Sequence, residues 1–78
     1  MNLEISEVHL CVLSIVAMQC DQYGRVKNTD LLNAMRVKGI VWKYADDLLH
    51  AGYLSGTLFQ RDETISLSDS GYRLLNGC

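Results

Sequence analysis

The sequence predicts an α+β domain in which three helices form the core and a small β-hairpin lies beside them. Three observations carry that expectation. The stretch Asn28 to Leu54 reads as two helices joined by a tight turn, Leu10 to Met18 is apolar on nearly every side, and Thr57 to Leu67 holds two β-tolerant runs around a polar turn. At 78 residues the chain is expected to be a single domain, 1–78. A chain of that length buries only roughly 60 to 65% of its unfolded surface, so its core has to be used economically. With 49% hydrophobic and 21% charged residues, and no proline, repeat or low-complexity tract, the composition suits a compact domain without a linker.

The first helix is expected from Leu3 to Gln22, with Asn2 or Ser6 at its start and Gly24 beyond its end. A surface helix needs one apolar stripe, whereas LCVLSIVAM, broken only by Ser14, is apolar on nearly every side. Its second side must be covered by the other helices or by the same helix of a second subunit. We assign Val8, Val12, Ile15 and Val16 to the core, and Leu10, Leu13 and Ala17 to a dimer contact. His9 is read as a boundary residue and Cys11 and Cys20 as small core residues.

Arg25 to Lys27, between Gly24 and Asn28, suits a brief edge strand. A helix over about 29–36 follows, capped by Asn28 or Thr29 and burying Leu31, Leu32 and Met35. Val37, Lys38 and Gly39 make the turn. The next helix, about 39–51, places Val41, Tyr44, Ala45, Leu48 and Leu49 at helical spacing, with Lys43, Asp46 and His50 opposite and Gly52 as its stop. In the hairpin, over about 57–67, strands Thr57–Gln60 and Thr64–Leu67 flank Arg61, Asp62 and Glu63, with Leu58, Ile65 and Leu67 inward. Ser68 or Asp69 then caps a last helix carrying Tyr72, Leu74 and Leu75, closed by Gly77.

Several function classes are disfavoured. The apolar run is too short to span a bilayer, which needs about 20 residues, and no signal-peptide pattern precedes it. Cys11, Cys20 and Cys78 are odd in number, with no CxxC and no histidine at zinc-finger spacing, as in a reduced, cytoplasmic protein. Asp46, Asp47 and His50 share a helix face but read as a solvated pair rather than a metal site. There is no glycine-rich phosphate loop and no nucleophile with a nearby base, so neither catalysis nor a cofactor is expected.

Charge points elsewhere. The formal net charge is −2, yet from Arg25 to Lys43 five cations (Arg25, Lys27, Arg36, Lys38, Lys43) stand against Asp30 alone. The remaining residues carry two arginines against eight acids. A local positive field therefore coincides with the two-helix stretch. Trp42 lies between the buried and exposed faces, where it can touch a sugar or phosphate, anchor a protein interface, or close the edge of the core.

Helix, short strand, helix, helix, hairpin and a helical end is the order of a winged helix-turn-helix. ADDLLHAGYL (Ala45 to Leu54) resembles the end of the recognition helix in winged-helix regulators of the MarR and PadR type. ISLSDSGYRLL (Ile65 to Leu75) is similar to that family's strand-to-helix passage, a Leu-Thr-x-x-Gly-Arg pattern. The resemblance implies a transcriptional regulator that binds double-stranded DNA, as a homodimer through the first helix or the C-terminal segment. It places Lys38, Gly39, Trp42 and Lys43 at the front of the recognition helix, against base edges, and Arg61 at the wing tip. Arg25, Lys27 and Arg36 become phosphate contacts, and Thr29, heading the preceding helix, joins the same set. The chain departs from the family where Gly39, Ile40 and Trp42 supply no hydroxyl and where Asp62 and Glu63 adjoin the wing arginine. A winged-helix protein-interaction module that does not bind DNA tightly is the alternative.

Overall fold

The structure, a computed structural model, describes residues 4–57 and 62–76. Among the described residues the order is α1 (Glu7–Gln19), β1 (Arg25–Lys27), α2 (Asn28–Val37), α3 (Lys43–His50), β2 (Leu54–Gly56), β3 (Thr64–Leu67) and α4 (Asp69–Asn76). This is an α+β fold of four helices and a small antiparallel sheet in the order β1-β3-β2.

The start of α1 is set by Ser6 rather than Asn2. Its Oγ accepts from the His9 backbone N–H, and its own backbone N–H donates to His9 Nδ1 at 3.0 Å. That reciprocal pair satisfies two donors which the first turn would otherwise leave unmet. The helix stops at Gln19, three residues short of the expected end, because Cys20 is extended.

α1 is the axis of the molecule. Val12, Leu13 and Val16 are wholly buried, and α2, α3, α4, β1 and β3 all pack on the helix. The expectation that Leu13 faces a second subunit is therefore corrected: its cover comes from the same chain, and Leu10 and Ala17 rest half-buried on the same core. Cys11 is likewise not a core residue but exposed, on the same side as Met18 seven residues on.

α2 buries Leu31 and Met35, while Leu32 stays 37% exposed. It has no side-chain cap, so neither Asn28 nor Thr29 plays the expected role. The Asn28 side chain instead donates to the Thr57 carbonyl and its backbone N–H to the Glu63 carbonyl. Glu63 directly precedes β3 and Thr57 directly follows β2, so the first residue of α2 is tied to both arms of the hairpin.

β2 is Leu54–Gly56, which ends before Thr57, the expected start of the strand Thr57–Gln60; residues 58–60 lie outside the described residues. β2 pairs Leu54 with Leu67 and Gly56 with Ile65. Burial of Leu54 beside Leu67 drives that pairing, a gain of about 1.5–3 kcal/mol for each such side chain. Ile65 and Leu67 point inward as expected, and Leu58 lies outside the described residues. β1 is an edge strand with only Val26 buried.

Ser68 caps α4: its Oγ accepts from the Gly71 N–H at 3.2 Å and donates to the Gly52 carbonyl, joining this helix to the end of α3. Gly71 is buried, and a Cβ there would run into the Tyr53 carbonyl oxygen. Gly71→Ala should push α4 off β2 and cost about 1–3 kcal/mol. Thermal denaturation would register this as a fall in Tm of about 4 °C or more; an unchanged Tm would contradict the close packing.

Candidate nucleic-acid interface

The turn between α2 and α3 is built from two backbone hydrogen bonds. Ile40 N–H donates to the Met35 carbonyl at 2.9 Å and Gly39 N–H to the Arg36 carbonyl at 3.0 Å, around a left-handed Gly39 at φ +71°. This is a Schellman stop, accompanied by packing of Ile40 on the core. Its geometry corrects the expectation that the second helix begins at Gly39, since a right-handed helix cannot pass through that φ. α3 begins at Lys43, with Trp42 as its N-cap residue.

The chain thus holds Arg36 on the last turn of α2, Lys38 in the turn and Lys43 at the head of α3, all exposed. Lys38 and Gly39 belong to the turn and not to the front of the helix. Trp42 is half-buried and packed on the core, the core-edge reading of the three considered. Arg36 and Lys38 sit where the negative end of the α2 dipole welcomes cations. Lys43 sits at the positive end of α3, an arrangement that costs about 0.3–1 kcal/mol. Helix stability therefore does not explain Lys43.

The other candidates lie apart. Lys27 and Thr29 are exposed at the N-terminal end of α2, about 15 Å along the helix from Lys38 at 1.5 Å per residue. Arg25 is one step further off, at the far end of β1, opposite Ser66. There the Asp21 carboxylate accepts from the Tyr23 and Arg25 N–H groups at 2.8 and 3.1 Å, and the Arg25 guanidinium lies 5.2 Å from the centre of the Tyr23 ring. The two N–H groups, Arg25 foremost, hold Asp21 below its ordinary pKa. Arg61 lies outside the described residues.

Two acids share α3 with Lys43, and each has a histidine. Asp46 Oδ1 is 3.2 Å from His50 Nδ1, which also contacts the Asp46 carbonyl at 2.9 Å; that carbonyl and then the carboxylate raise the exposed His50 above its usual pKa. Asp47 Oδ2 is 3.5 Å from Nε2 of His9, a residue only 5% exposed whose ring meets Tyr44 edge-on. Because His9 Nδ1 accepts the Ser6 N–H, the neutral ring carries its proton on Nε2, on the Asp47 side. A protonated Nε2 is no metal ligand, and among the described residues no group of three or more His, Cys, Asp or Glu side chains is arranged to hold a metal.

Sequence reasoning missed the Asn28 tie, the inward role of His9 and the exposure of Val41. Only His9 left a readable signal, since Ser6 and residue 9 have capping-box spacing with histidine in place of the usual Glu or Gln.

The His50 and Asp21 shifts have opposite signs in stability. His50, raised above 6.5, contributes most below that pH and loses its contribution as pH rises through the folded value. Asp21, lowered below 3.8, contributes above that pH and loses its contribution as pH falls through the folded value. His50→Gln should flatten the alkaline side of a Tm against pH profile and Asp21→Asn the acid side; two unaltered profiles would contradict both assignments.

Against known proteins, the chain matches no family model, no curated sequence and no solved structure.

Proposed function

We propose that this chain is a winged helix-turn-helix regulator that binds double-stranded DNA in the cytoplasm, with α3 as the recognition helix and β2 and β3 as the roots of the wing. The observation that carries the reading is the exposure of Lys38 in a hydrogen-bonded turn and of Lys43 just beyond it, at the head of a helix that gains nothing from its lysine. The element order α1-β1-α2-α3-β2-β3 and the sheet order β1-β3-β2 support it. Arg36, Lys38 and Lys43 would approach phosphates and base edges together. Lys27 and Thr29, about 15 Å away, suit a phosphate four to five steps along a strand at about 3.4 Å per step. Asn28, tied to both arms of the hairpin, would fix the wing relative to the helices.

Regulators of this design pair on pseudo-palindromic sites whose half-sites lie about 34 Å apart. The homodimer contact is drawn from the first helix, where Cys11 and Met18 are exposed on one side, or from the C-terminal segment, where Tyr72 is exposed. The reading assigns no catalytic step and no cofactor.

A protein-interaction module is the second reading, favoured by four exposed apolar side chains: Met18 at 82%, Tyr23 at 68%, Val37 at 87% and Val41 at 60%. Titration of duplex DNA at two salt concentrations separates the two. DNA binding predicts an affinity that falls steeply with salt, and that Lys38→Ala and Lys43→Ala each lower the slope of log K against log salt by about 0.9 while the protein stays folded. No binding tighter than about 10⁻⁴ M at low salt would leave the interaction module in possession.

A further inference from the structure

Val41 has helical spacing with Ala45 and Leu48, yet it is 60% exposed while those two are wholly buried. The reason is local. α3 starts after it, so Val41 belongs to the rigid passage between the Gly39 turn and the Trp42 cap, held on both sides by the core packing of Ile40 and Trp42. Its carbonyl accepts the Tyr44 N–H at 3.3 Å. A lone exposed aliphatic residue is ordinary. This one stands three residues after exposed Lys38 and two before exposed Lys43. A β-branched side chain on a fixed backbone has little rotamer freedom to lose on contact.

Resting on the DNA reading above, we propose that Val41 is a specificity-determining residue that packs on a pyrimidine C5-methyl group in the major groove. The flanking lysines draw this surface to a polyanion, and that groove presents one kind of aliphatic group, the methyl at C5. Both thymine and 5-methylcytosine carry it. Val37, more exposed still but on the α2 side of the turn, is the internal control.

The test uses the full chain and a duplex recovered by selection from a random library. Each thymine is replaced in turn by deoxyuridine, and each cytosine by 5-methylcytosine. If thymine is read, one or two deoxyuridine substitutions per half-site weaken binding about four-fold, the factor that corresponds to burying one methyl group. Val41→Ala then loses about as much on the parent duplex and becomes indifferent to the substitution, whereas Val37→Ala behaves as wild type. If 5-methylcytosine is read, deoxyuridine has no effect and methylation strengthens binding about four-fold, again only with Val41 present.

Three results would overturn the proposal while leaving DNA binding intact: salt-dependent affinity indifferent to every methyl change, a methyl effect that survives Val41→Ala, or one that depends on Val37. A selection that recovers no preferred sequence counts with the first of these. Loss of self-association in Val41→Ala without any methyl effect would give the valine to a second copy of the chain instead. Absence of salt-dependent binding to any duplex would remove the DNA reading itself.

Discussion

Burial of one broad face of α1 is the constraint on which the rest of this structure depends. A chain of 78 residues cannot build two cores, so it spends one helix as an axis and lays its other elements around it. Val12, Leu13, Ile15 and Val16 give that helix one broad apolar face, and α2, α3, α4, β1 and β3 share in covering it. Removing any of them would expose part of that apolar face.

That arrangement dictates where function can sit. Residues that touch α1 are committed to the core, and Arg36, Lys38 and Lys43 lie on the exposed surface of α2, the turn and the head of α3. The turn is rigid because its hydrogen bonds are satisfied within the backbone and because Ile40 and Trp42 anchor it on both sides. The same stop recurs at the other end of α3, where Tyr53 N–H donates to the Leu48 carbonyl at 2.9 Å around Gly52 at φ +87°. With α2 stopped at Gly39 and α3 at Gly52, β2 starts where Leu54 can meet Leu67.

The helices and their order were legible in the sequence because periodicity and glycine stops are local signals, as Leu31, Met35, Ala45, Leu48 and Gly52 illustrate. Boundaries were less so. Gly39 can open a helix or end one, and the choice depends on whether Ile40 finds a core to pack on, which is a tertiary fact. The start of β2 depends on the same kind of fact: Leu54 pairs by burial beside Leu67, thirteen positions later. Asn28 looked like a cap because asparagine before a helix usually is one. Its true partners, Thr57 and Glu63, are distant in the chain. The basic segment of the candidate site could be read directly, whereas the exposure of Val41 followed only from where α3 begins.

Net charge is a poor guide to what such a surface can bind. The molecule measures 29 × 26 × 21 Å, and at physiological ionic strength fields decay over about 8 Å. Exposed acids more than about one such length from the turn are largely screened there, so the formal −2 does not describe the field at Lys38 or Lys43. Asp46 and Asp47 are the acids that matter, because about one turn of helix, 5.4 Å, separates them from Lys43. Neither carboxylate stands alone in water: Asp47 meets the buried His9 ring, and Asp46 meets His50, whose raised pKa favours the imidazolium. As His50 takes up a proton, the charge of Asp46 is offset within its own turn and Lys43 faces solvent with less opposition. The acid that most disfavours a polyanion near α3 is therefore the one whose influence on that face falls as the pH is lowered.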